Sequence, residues 1–262
     1  MLTVDLSGKS AIVTGAASGF GRAAALALAG CGVRVAAVDV HHEKLKETVG
    51  LLAHHERKHL CIGKDLRPTQ AANEVIAEAI AGLGQLDILV NSAGVCHFTP
   101  AKDITTDQWD EVLEVDLRSL YFLSVAAAEA MDASRGGRII NLGSNAGRKG
   151  RAFSAHYAAA KAAVANVSES LALAYGKKNI TVNTVCPAVV LTEMWERNFK
   201  ELNTITGKSS KDLIEGWRLA TPMQRLGTVE DVANLIVFLA SDYAGFITAQ
   251  EINVCGGFML TC

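Results

Sequence analysis

Short apolar runs rich in Val and Ile alternate along the chain with longer segments in which apolar residues recur at helical spacing. The short runs are almost continuously apolar, which is typical of parallel strands that are covered by helices on both faces. The pattern predicts strands at 11–14, 34–38, 59–63, 87–91, 137–142, 181–186 and 251–254. It therefore predicts an α/β fold with a doubly wound, seven-stranded parallel sheet.

Longer segments between these strands predict helices at 20–30, 42–54, 69–83, 107–132, 155–177 and 229–241. No linker, repeat or change of composition divides the sequence, so we expect residues 1–262 to form a single domain. Residues 188–227 break the regular alternation and form an insertion within that domain.

Composition narrows the classes of partner. Lys and Arg number 25 against 27 Asp and Glu, a net charge of −2, so the strongly basic balance that favours nucleic-acid binding is missing. No apolar run is long enough to span a membrane. Residues 1–8 show no basic and apolar leader, and the cysteines are scattered without the spacing of a metal site. We expect a cytoplasmic protein with reduced thiols, no bound metal, no nucleic-acid partner and no membrane partner.

A glycine-rich segment, Gly15 to Gly21, lies between the first predicted strand and the first predicted helix. Glycines there allow the backbone to turn tightly and to approach a pyrophosphate, whose charge is stabilised at the helix N-terminus. The alternative is that they only allow close packing of helix against strand. In the strand–loop–helix context, the segment favours a Rossmann-type dinucleotide-binding domain.

Asp39 ends the second predicted strand, twenty positions after Gly19. A carboxylate there can accept hydrogen bonds from the adenosine ribose and would repel a 2′-phosphate, which predicts NAD rather than NADP. The alternative is a solvated turn aspartate. Asp65, after the third strand, is expected near the adenine edge or at a helix N-cap.

These features occur in a fixed order along nearly the whole chain. The order is Gly15-x-x-x-Gly19-x-Gly21, Asp65, Asn91-Ser92-Ala93-Gly94, Tyr157-x-x-x-Lys161, Pro187-Ala188, Thr192 and Gly256-Gly257. The sequence resembles the short-chain dehydrogenase/reductase family, and its C-terminal third resembles the polyol, sugar-alcohol and acetoin dehydrogenase branch. The resemblance implies a homotetramer or homodimer built on the helices at 107–132 and 155–177. It also implies cofactor contacts from Gly15, Ser18, Gly19, Phe20, Gly21, Asp39, Asp65, Leu66, Asn91, Ala93, Gly94, Tyr157, Lys161, Pro187, Val190 and Thr192.

Tyr157 and Lys161 lie four residues apart, on one face of a predicted helix. A free phenol has a pKa of about 10, but a nearby ammonium group favours the phenolate, so Tyr157 can act as a general base. Lys161 would also hold the nicotinamide ribose. Ser144 precedes Tyr157 by the spacing of the family's catalytic serine and would bind the substrate oxygen; a loop-capping serine is the alternative.

Three positions depart from the family pattern: Ser92 replaces a common Asn, Ala188 replaces a usual Gly, and Asp116 replaces the Asn that is the fourth catalytic member. The Asp116 carboxylate would place a charge near Lys161. It could accept the same hydrogen bond as the Asn, form an ion pair that alters the pH optimum, or belong to a rebuilt proton relay. We keep Asp116 as a catalytic candidate.

The residues expected around the substrate are Ser144, Asn145, Arg148, Arg151, Phe153, His97 and Trp195, and each could equally be a packing residue. We interpret residues 188–227 as a partly helical substrate loop, with a plain surface insertion as the alternative. The run Arg148-Lys149-Gly150-Arg151 is either a solvated patch or the site at which Arg148 or Arg151 holds an anionic end of the substrate.

Together these residues predict an NAD-dependent oxidoreductase that interconverts a secondary alcohol and a ketone on a small polar substrate, such as a polyol, a sugar or a sugar derivative. One alternative is an NADPH-dependent ketoacyl or steroid-type carbonyl reductase, against which Asp39 argues. The other is a non-catalytic NAD-binding protein, which the presence of Asp116 allows.

Overall fold

The computed structural model describes residues 4–54 and 58–259; residues 1–3, 55–57 and 260–262 of the predicted domain lie outside that range. Seven parallel strands form one sheet in the order β3-β2-β1-β4-β5-β6-β7, so the predicted fold class is confirmed. The strands are β1 Ser10–Thr14, β2 Arg34–Asp39, β3 Leu60–Gly63, β4 Ile88–Asn91, β5 Gly137–Leu142, β6 Ile180–Pro187 and β7 Glu251–Val254.

The helices are α1 Gly19–Gly30, α2 His42–Gly50, α3 Ala71–Leu83, α4 Thr106–Leu113, α5 Ser119–Ala130, α6 Ala155–Tyr175, α7 Trp195–Thr206, α8 Ser210–Ala220 and α9 Val229–Ala240. The helix predicted at 42–54 ends earlier than expected, at Gly50. After it, Leu52 is fully buried in the core, and the chain turns through His54, whose φ is +61°. The packing of Leu52 therefore overrides the helical spacing of the sequence.

Helices cover both faces of the sheet. On one face, α1, α2 and α9 bury Leu28, Leu45 and Ile236 against the strands. On the other face, α3, α5 and α6 bury their apolar sides, which include Val75 and Leu123. Both faces of each central strand are therefore covered by helices and shielded from solvent, which explains the continuous apolar runs of the sequence.

The segment predicted as one helix at 107–132 is divided into two helices. A π-helical turn, Glu114–Arg118, joins α4 to α5, and Asp116 at its centre is fully buried. Such turns widen the helix by one residue and are frequent at functional sites. The prediction of one regular helix was wrong at this turn. One extra residue in a single helical turn changes the spacing of apolar residues too little to be detected in the sequence.

The inserted segment at 188–227 contains α7 and α8, so its partly helical character is confirmed. Ser209 caps α8 by accepting a hydrogen bond from the Asp212 N–H, and the Asp212 carboxylate accepts one from the Ser209 N–H. The Trp195 ring lies 4.9 Å from that of Trp217, centroid to centroid, which packs the two helices together.

Strand β1 pairs with β2 on one side and with β4 on the other. In an open parallel sheet, such a reversal of strand order leaves a crevice at the carboxyl ends of the strands, where ligands bind. Within residues 4–54 and 58–259, no helix is long and apolar enough to cross a membrane.

Candidate active site

The loop between β1 and α1 lies at this reversal of strand order, and two of its glycines are required by their surroundings. Gly15 has φ +66°, and a Cβ there would lie 2.9 Å from the Cα of Ala93. A Cβ at Gly21 would collide with the carbonyl oxygen of Gly15. The Thr14 hydroxyl accepts hydrogen bonds from the N–H groups of Ser92 and Ala93, at 3.0 and 3.1 Å. The loops after β1 and β4 therefore form one closely packed wall, as the predicted cofactor contacts require.

The segment after β6 packs against the same loop. A Cβ on Gly19 would lie 3.3 Å from Cγ2 of Thr192. Pro187 ends β6, and the carbonyl of the buried Val190 accepts a hydrogen bond from the Trp195 indole at 2.8 Å. The predicted contacts Pro187, Val190 and Thr192 are thus brought to the crevice, and the start of α7 is fixed beside them.

Asp39 lies at the end of β2, beside the glycine-rich loop. Its carboxylate accepts hydrogen bonds from the Ala17 N–H at 3.0 Å and from the His41 N–H at 2.9 Å. These bonds hold a negative charge at the end of the crevice opposite Tyr157. Each carboxylate oxygen keeps a further lone pair, so Asp39 can still accept hydrogen bonds from a ligand.

Two predicted cofactor residues are engaged within the chain. The Asp65 carboxylate is held by the Arg67 guanidinium, with Nη2 at 2.6 Å, and this pairing lowers the pKa of Asp65. The Asn91 side chain donates to Ser124 at 2.9 Å and to Asn141 at 2.8 Å. The amide nitrogen of Asn91 is therefore part of a buried polar network, and any hydrogen bond to the cofactor at that position falls to its side-chain oxygen or to the main chain.

The catalytic candidates come together at the start of α6. The Lys161 ammonium lies 5.6 Å from the centroid of the Tyr157 ring and donates to the carbonyl of Leu142 at 2.9 Å. A Cβ on Gly147 would lie 2.7 Å from the backbone of Lys161, so only glycine lets the turn after Ser144 approach α6 this closely. The Ser144 hydroxyl accepts from the Ala146 N–H at 3.1 Å and is itself hydrogen-bonded to Tyr157.

Asp116 forms a buried ion pair with Lys161. Its Oδ2 lies 3.1 Å from the Lys161 Nζ, and the two side chains are 0% and 5% exposed. The other oxygen accepts from the Val95 N–H at 2.7 Å. Gly94 allows this approach, because a Cβ there would lie 3.1 Å from the carboxylate. Burial raises the pKa of Asp116, while Lys161 and the Val95 N–H lower it.

Tyr157 is strongly affected by the same surroundings. Burial raises its pKa well above the ordinary value, and the nearby Cys96 and Asp116 raise it further, whereas hydrogen bonding to Ser144 lowers it. A cation is therefore needed to stabilise the phenolate, and the Lys161 ammonium, 5.6 Å from the Tyr157 ring centroid, is partly neutralised by Asp116.

On the substrate side, the predicted residues are tied to the inserted segment. The His97 imidazole lies 2.8 Å from Glu111 of α4 and 3.9 Å from Glu201 of α7. The Trp195 ring lies 5.9 Å from that of Phe98, centroid to centroid, and the Phe98 N–H donates to Glu201 at 2.8 Å. These contacts hold α7 against the loop after β4.

The remaining predicted substrate residues belong to the segment between β5 and α6. The Phe153 carbonyl accepts from the Thr99 N–H at 2.6 Å. Arg148 forms an ion pair with Glu251 at 3.0 Å, whereas Arg151 donates to the backbone and side-chain oxygens of Asn145, both at 3.3 Å. The sequence did not predict Glu111, Glu201 or Glu251, because each acts on a residue far away in the chain. For Glu201 alone, the sequence contains a local signal: Arg197 lies four residues before it on α7, a spacing that is typical of an ion pair on a helix.

Fold and site together define a nucleotide-dependent oxidoreductase. A family model described as Enoyl-(Acyl carrier protein) reductase matches residues 15–259. The chain is 36% identical over 266 residues to D-threitol dehydrogenase of Mycolicibacterium smegmatis, covering 99% of this chain and 97% of that protein. It is 34% identical over 256 residues to sorbitol dehydrogenase of Cereibacter sphaeroides, covering 96% and 98% of the two chains.

Another relative is 3-oxoacyl-[acyl-carrier-protein] reductase FabG of Salmonella typhimurium, 36% identical over 259 residues, covering 98% of this chain and all of that one. Among solved structures, a protein of Beutenbergia cavernae provisionally assigned as an NAD(P)-dependent gluconate 5-dehydrogenase, with bound NADP, superposes with a TM-score of 0.87. That chain is 32% identical, with 98% of this chain and 99% of that chain covered. The protein belongs to the short-chain dehydrogenase/reductase family and resembles its polyol and sugar dehydrogenase branch.

Proposed function

We propose that this protein is an NAD-dependent dehydrogenase that oxidises a secondary alcohol of a small polyol or sugar derivative to a ketone and catalyses the reverse reduction. The observation that carries the proposal is the convergence of Ser144, Tyr157 and Lys161 at one end of a crevice whose other end holds the Asp39 carboxylate. The polyol-dehydrogenase relatives support the substrate class.

The glycine-rich loop fits a dinucleotide, because a Cβ at Gly15 or Gly21 would collide with backbone atoms of Ala93 or Gly15, so the turn before the N-terminus of α1 must stay free of side chains there. The loop from Gly15 to Gly21 would hold the pyrophosphate, Asp39 would accept hydrogen bonds from the adenosine ribose, and Thr192 would contact the cofactor near Gly19. When bound, the nicotinamide accepts or returns the hydride of the carbinol carbon. Asp39 favours NAD, since its charge would repel a 2′-phosphate.

Tyr157 is the proposed general base. In alcohol oxidation, its phenolate oxygen takes the hydroxyl proton of the substrate, and in ketone reduction its hydroxyl returns that proton. The Ser144 O–H donates a hydrogen bond to the same substrate oxygen and stabilises the charge that develops there. The Lys161 ammonium donates one hydrogen bond to Leu142 and forms an ion pair with Asp116, so it keeps a donor for the nicotinamide ribose.

Replacing Asp116 by Asn should shift the rising limb of the pH–rate profile for alcohol oxidation to lower pH. Asp116 raises the pKa of Tyr157, and this limb reports formation of the base form, so removing the charge favours the phenolate at lower pH. The asparagine oxygen can still accept the Val95 N–H. The measurement is kcat/KM against pH for both proteins.

Asp110→Asn, an exposed carboxylate of α4, is the matched control and should leave the profile in place. Glu111 and Cys96 also act electrostatically on this cluster and are unchanged in both variants. An Asp116→Asn profile that coincides with the wild type would show that the ion pair does not set the base strength of Tyr157.

We further propose that α7 and α8 form the substrate loop over the crevice, with His97, Phe153 and Trp195 at its edge. The protein would act in the cytoplasm as a homotetramer. Exposed aromatic side chains on α4 and α5 support self-association, since Trp109, Tyr121 and Phe122 are 40%, 40% and 45% exposed.

The test of the proposed function is NADH formation from D-threitol, sorbitol and related neutral polyols, with NADP assayed in parallel. We expect oxidation with NAD to exceed oxidation with NADP. Binding of NADH without turnover of any alcohol or ketone would favour a non-catalytic NAD-binding protein instead.

A second candidate is a ketoacyl reductase, which the 36% identity to FabG supports. It predicts faster reduction of acetoacetyl-CoA with NADPH than oxidation of any polyol with NAD. Asp39 argues against this candidate, because a carboxylate beside the glycine-rich loop would repel the extra phosphate of NADPH.

A further inference from the structure

The loop between Ser144 and Tyr157 carries three cationic side chains, and the structure separates them. The Arg148 guanidinium lies 3.0 Å from the Glu251 carboxylate and donates to the Glu251 carbonyl at 2.8 Å. Its charge is therefore balanced within the chain. Lys149 is exposed to solvent. Arg151 is partly buried like Arg148, but unlike Arg148 it has no carboxylate partner among the described residues.

Arg151 is the partly buried member of the set whose charge has no partner among the described residues. In the described ranges 4–54 and 58–259, no carboxylate lies within ion-pair distance of its guanidinium. Burial lowers the pKa of Arg151, so its surroundings oppose the charge. A guanidinium nevertheless stays protonated, and a partly buried, unpaired cation is costly unless an anion balances it.

The guanidinium is also oriented. Its Nη2 donates to the carbonyl and side-chain oxygens of Asn145, both at 3.3 Å. Its Nε and Nη1 form no hydrogen bond with any residue that the structure describes, so three of the five N–H donors stay available. Nδ2 of Asn145, a side chain only 7% exposed, likewise has no partner in the described part of the chain.

This cation lies near the reacting groups. Asn145 directly follows Ser144, and Tyr157 acts electrostatically on Arg151 and raises its pKa. A substrate whose alcohol oxygen contacts Ser144 and Tyr157 could therefore place a second group against Arg151. An anionic group there would gain charge-assisted hydrogen bonds from the free N–H donors of the guanidinium.

We propose that Arg151 is an anion-binding subsite and that the preferred substrate is a small polyhydroxy compound with a carboxylate or phosphate group distant from the carbinol that is oxidised. The inference builds on the proposed dehydrogenase function and specifies its substrate class. Arg151 would act on specificity, whereas Ser144, Tyr157 and Lys161 act on the reacting oxygen.

The experiment compares a neutral polyol with its anionic counterparts: sorbitol, gluconate and sorbitol 6-phosphate. KM and kcat are measured with NAD for the wild type, Arg151→Gln, Arg151→Lys and the matched loop control Lys149→Gln. Glutamine removes the charge and keeps an amide donor on a shorter side chain. We expect Arg151→Gln to raise KM for the best anionic substrate by at least about 30-fold, with sorbitol unaffected. Lys149→Gln should change neither, and Arg151→Lys should recover part of the loss.

Two kinds of kinetic result would overturn the subsite. One is an equal loss of kcat on sorbitol and on the anionic compounds, or a shifted pH profile on sorbitol, because Arg151 would then stabilise the Tyr157 phenolate. The other is an equal effect of Lys149→Gln, which would indicate that the surface charge of the loop acts as a whole.

A second experiment measures binding at the subsite without turnover. Gluconate and sorbitol 6-phosphate are titrated calorimetrically into NADH-loaded wild type and into NADH-loaded Arg151→Gln. Arg151-dependent binding would support the subsite even if the proposed reaction failed, and binding equal in both proteins, or absent from both, would refute it.

Discussion

Replacing Tyr157 by Phe should lower kcat for alcohol oxidation by about 10³-fold while NADH binding persists. The phenolate is the base that takes the substrate proton, and a well-placed general base contributes roughly 10²–10⁴-fold to the rate. The phenylalanine ring keeps the packing above Lys161, whose ammonium lies 5.6 Å from the ring centroid. Steady-state kinetics and the fluorescence of bound NADH measure the two effects separately.

The matched control is Tyr175→Phe, which removes a hydroxyl from the same helix, α6, far from the crevice. The Tyr175 hydroxyl interacts with Glu129, so this variant should keep the wild-type kcat. Retention of more than about a tenth of wild-type kcat in Tyr157→Phe would place proton transfer on another group.

Replacing Asp39 by Asn should lower the preference for NAD over NADP, expressed as the ratio of kcat/KM values, by about 10²-fold. The change removes a negative charge at the predicted 2′ position while keeping an acceptor for the Ala17 N–H. A like-charge contact costs several kcal/mol, and about 1.4 kcal/mol corresponds to a tenfold change. The measurement is the kinetics of both cofactors with one alcohol.

Glu43→Gln is the control for a general loss of charge near the adenosine end, since Glu43 is exposed and pairs with Lys46 at 2.9 Å. It should leave the cofactor ratio unchanged. A ratio that stays at the wild-type value in Asp39→Asn would mean that another residue selects the cofactor.

The sequence predicted those features that local spacing determines. Tyr157 and Lys161 must share a helical face because they are four residues apart, and the glycines must lie between a strand and a helix. The seven-stranded sheet followed from the continuous apolar runs. Each of these inferences uses residues that are close together in the chain.

Contacts between distant segments could not be predicted in this way. The Arg148 side chain donates to the carbonyl of Glu251, 103 positions away, and the Phe98 N–H donates to Glu201 across the same separation. No periodicity specifies such partners. The sequence therefore does not distinguish Arg148 from Arg151. In the structure, Glu251 balances the charge of Arg148, whereas Arg151 donates to Asn145 and has no carboxylate partner among the described residues.

The surroundings of Asp116, in the π-helical turn, could be predicted from the sequence only in part. The resemblance identified the position, and the structure added that the carboxylate is completely buried against Lys161. Replacing a buried ion by a neutral amide changes the electrostatics of every neighbour, so the consequence of this Asp depends on distances that the sequence does not contain.

The most direct test of the proposed dehydrogenase activity follows a deuterium atom placed on the carbinol carbon of the best polyol substrate. The reaction is run with NAD in ordinary water, and the reduced cofactor is analysed by mass spectrometry. A dehydrogenase of this kind transfers the deuterium to the nicotinamide ring, with Tyr157→Phe slowing the transfer. Reduced cofactor without deuterium, or label released to water, would contradict the proposed reaction.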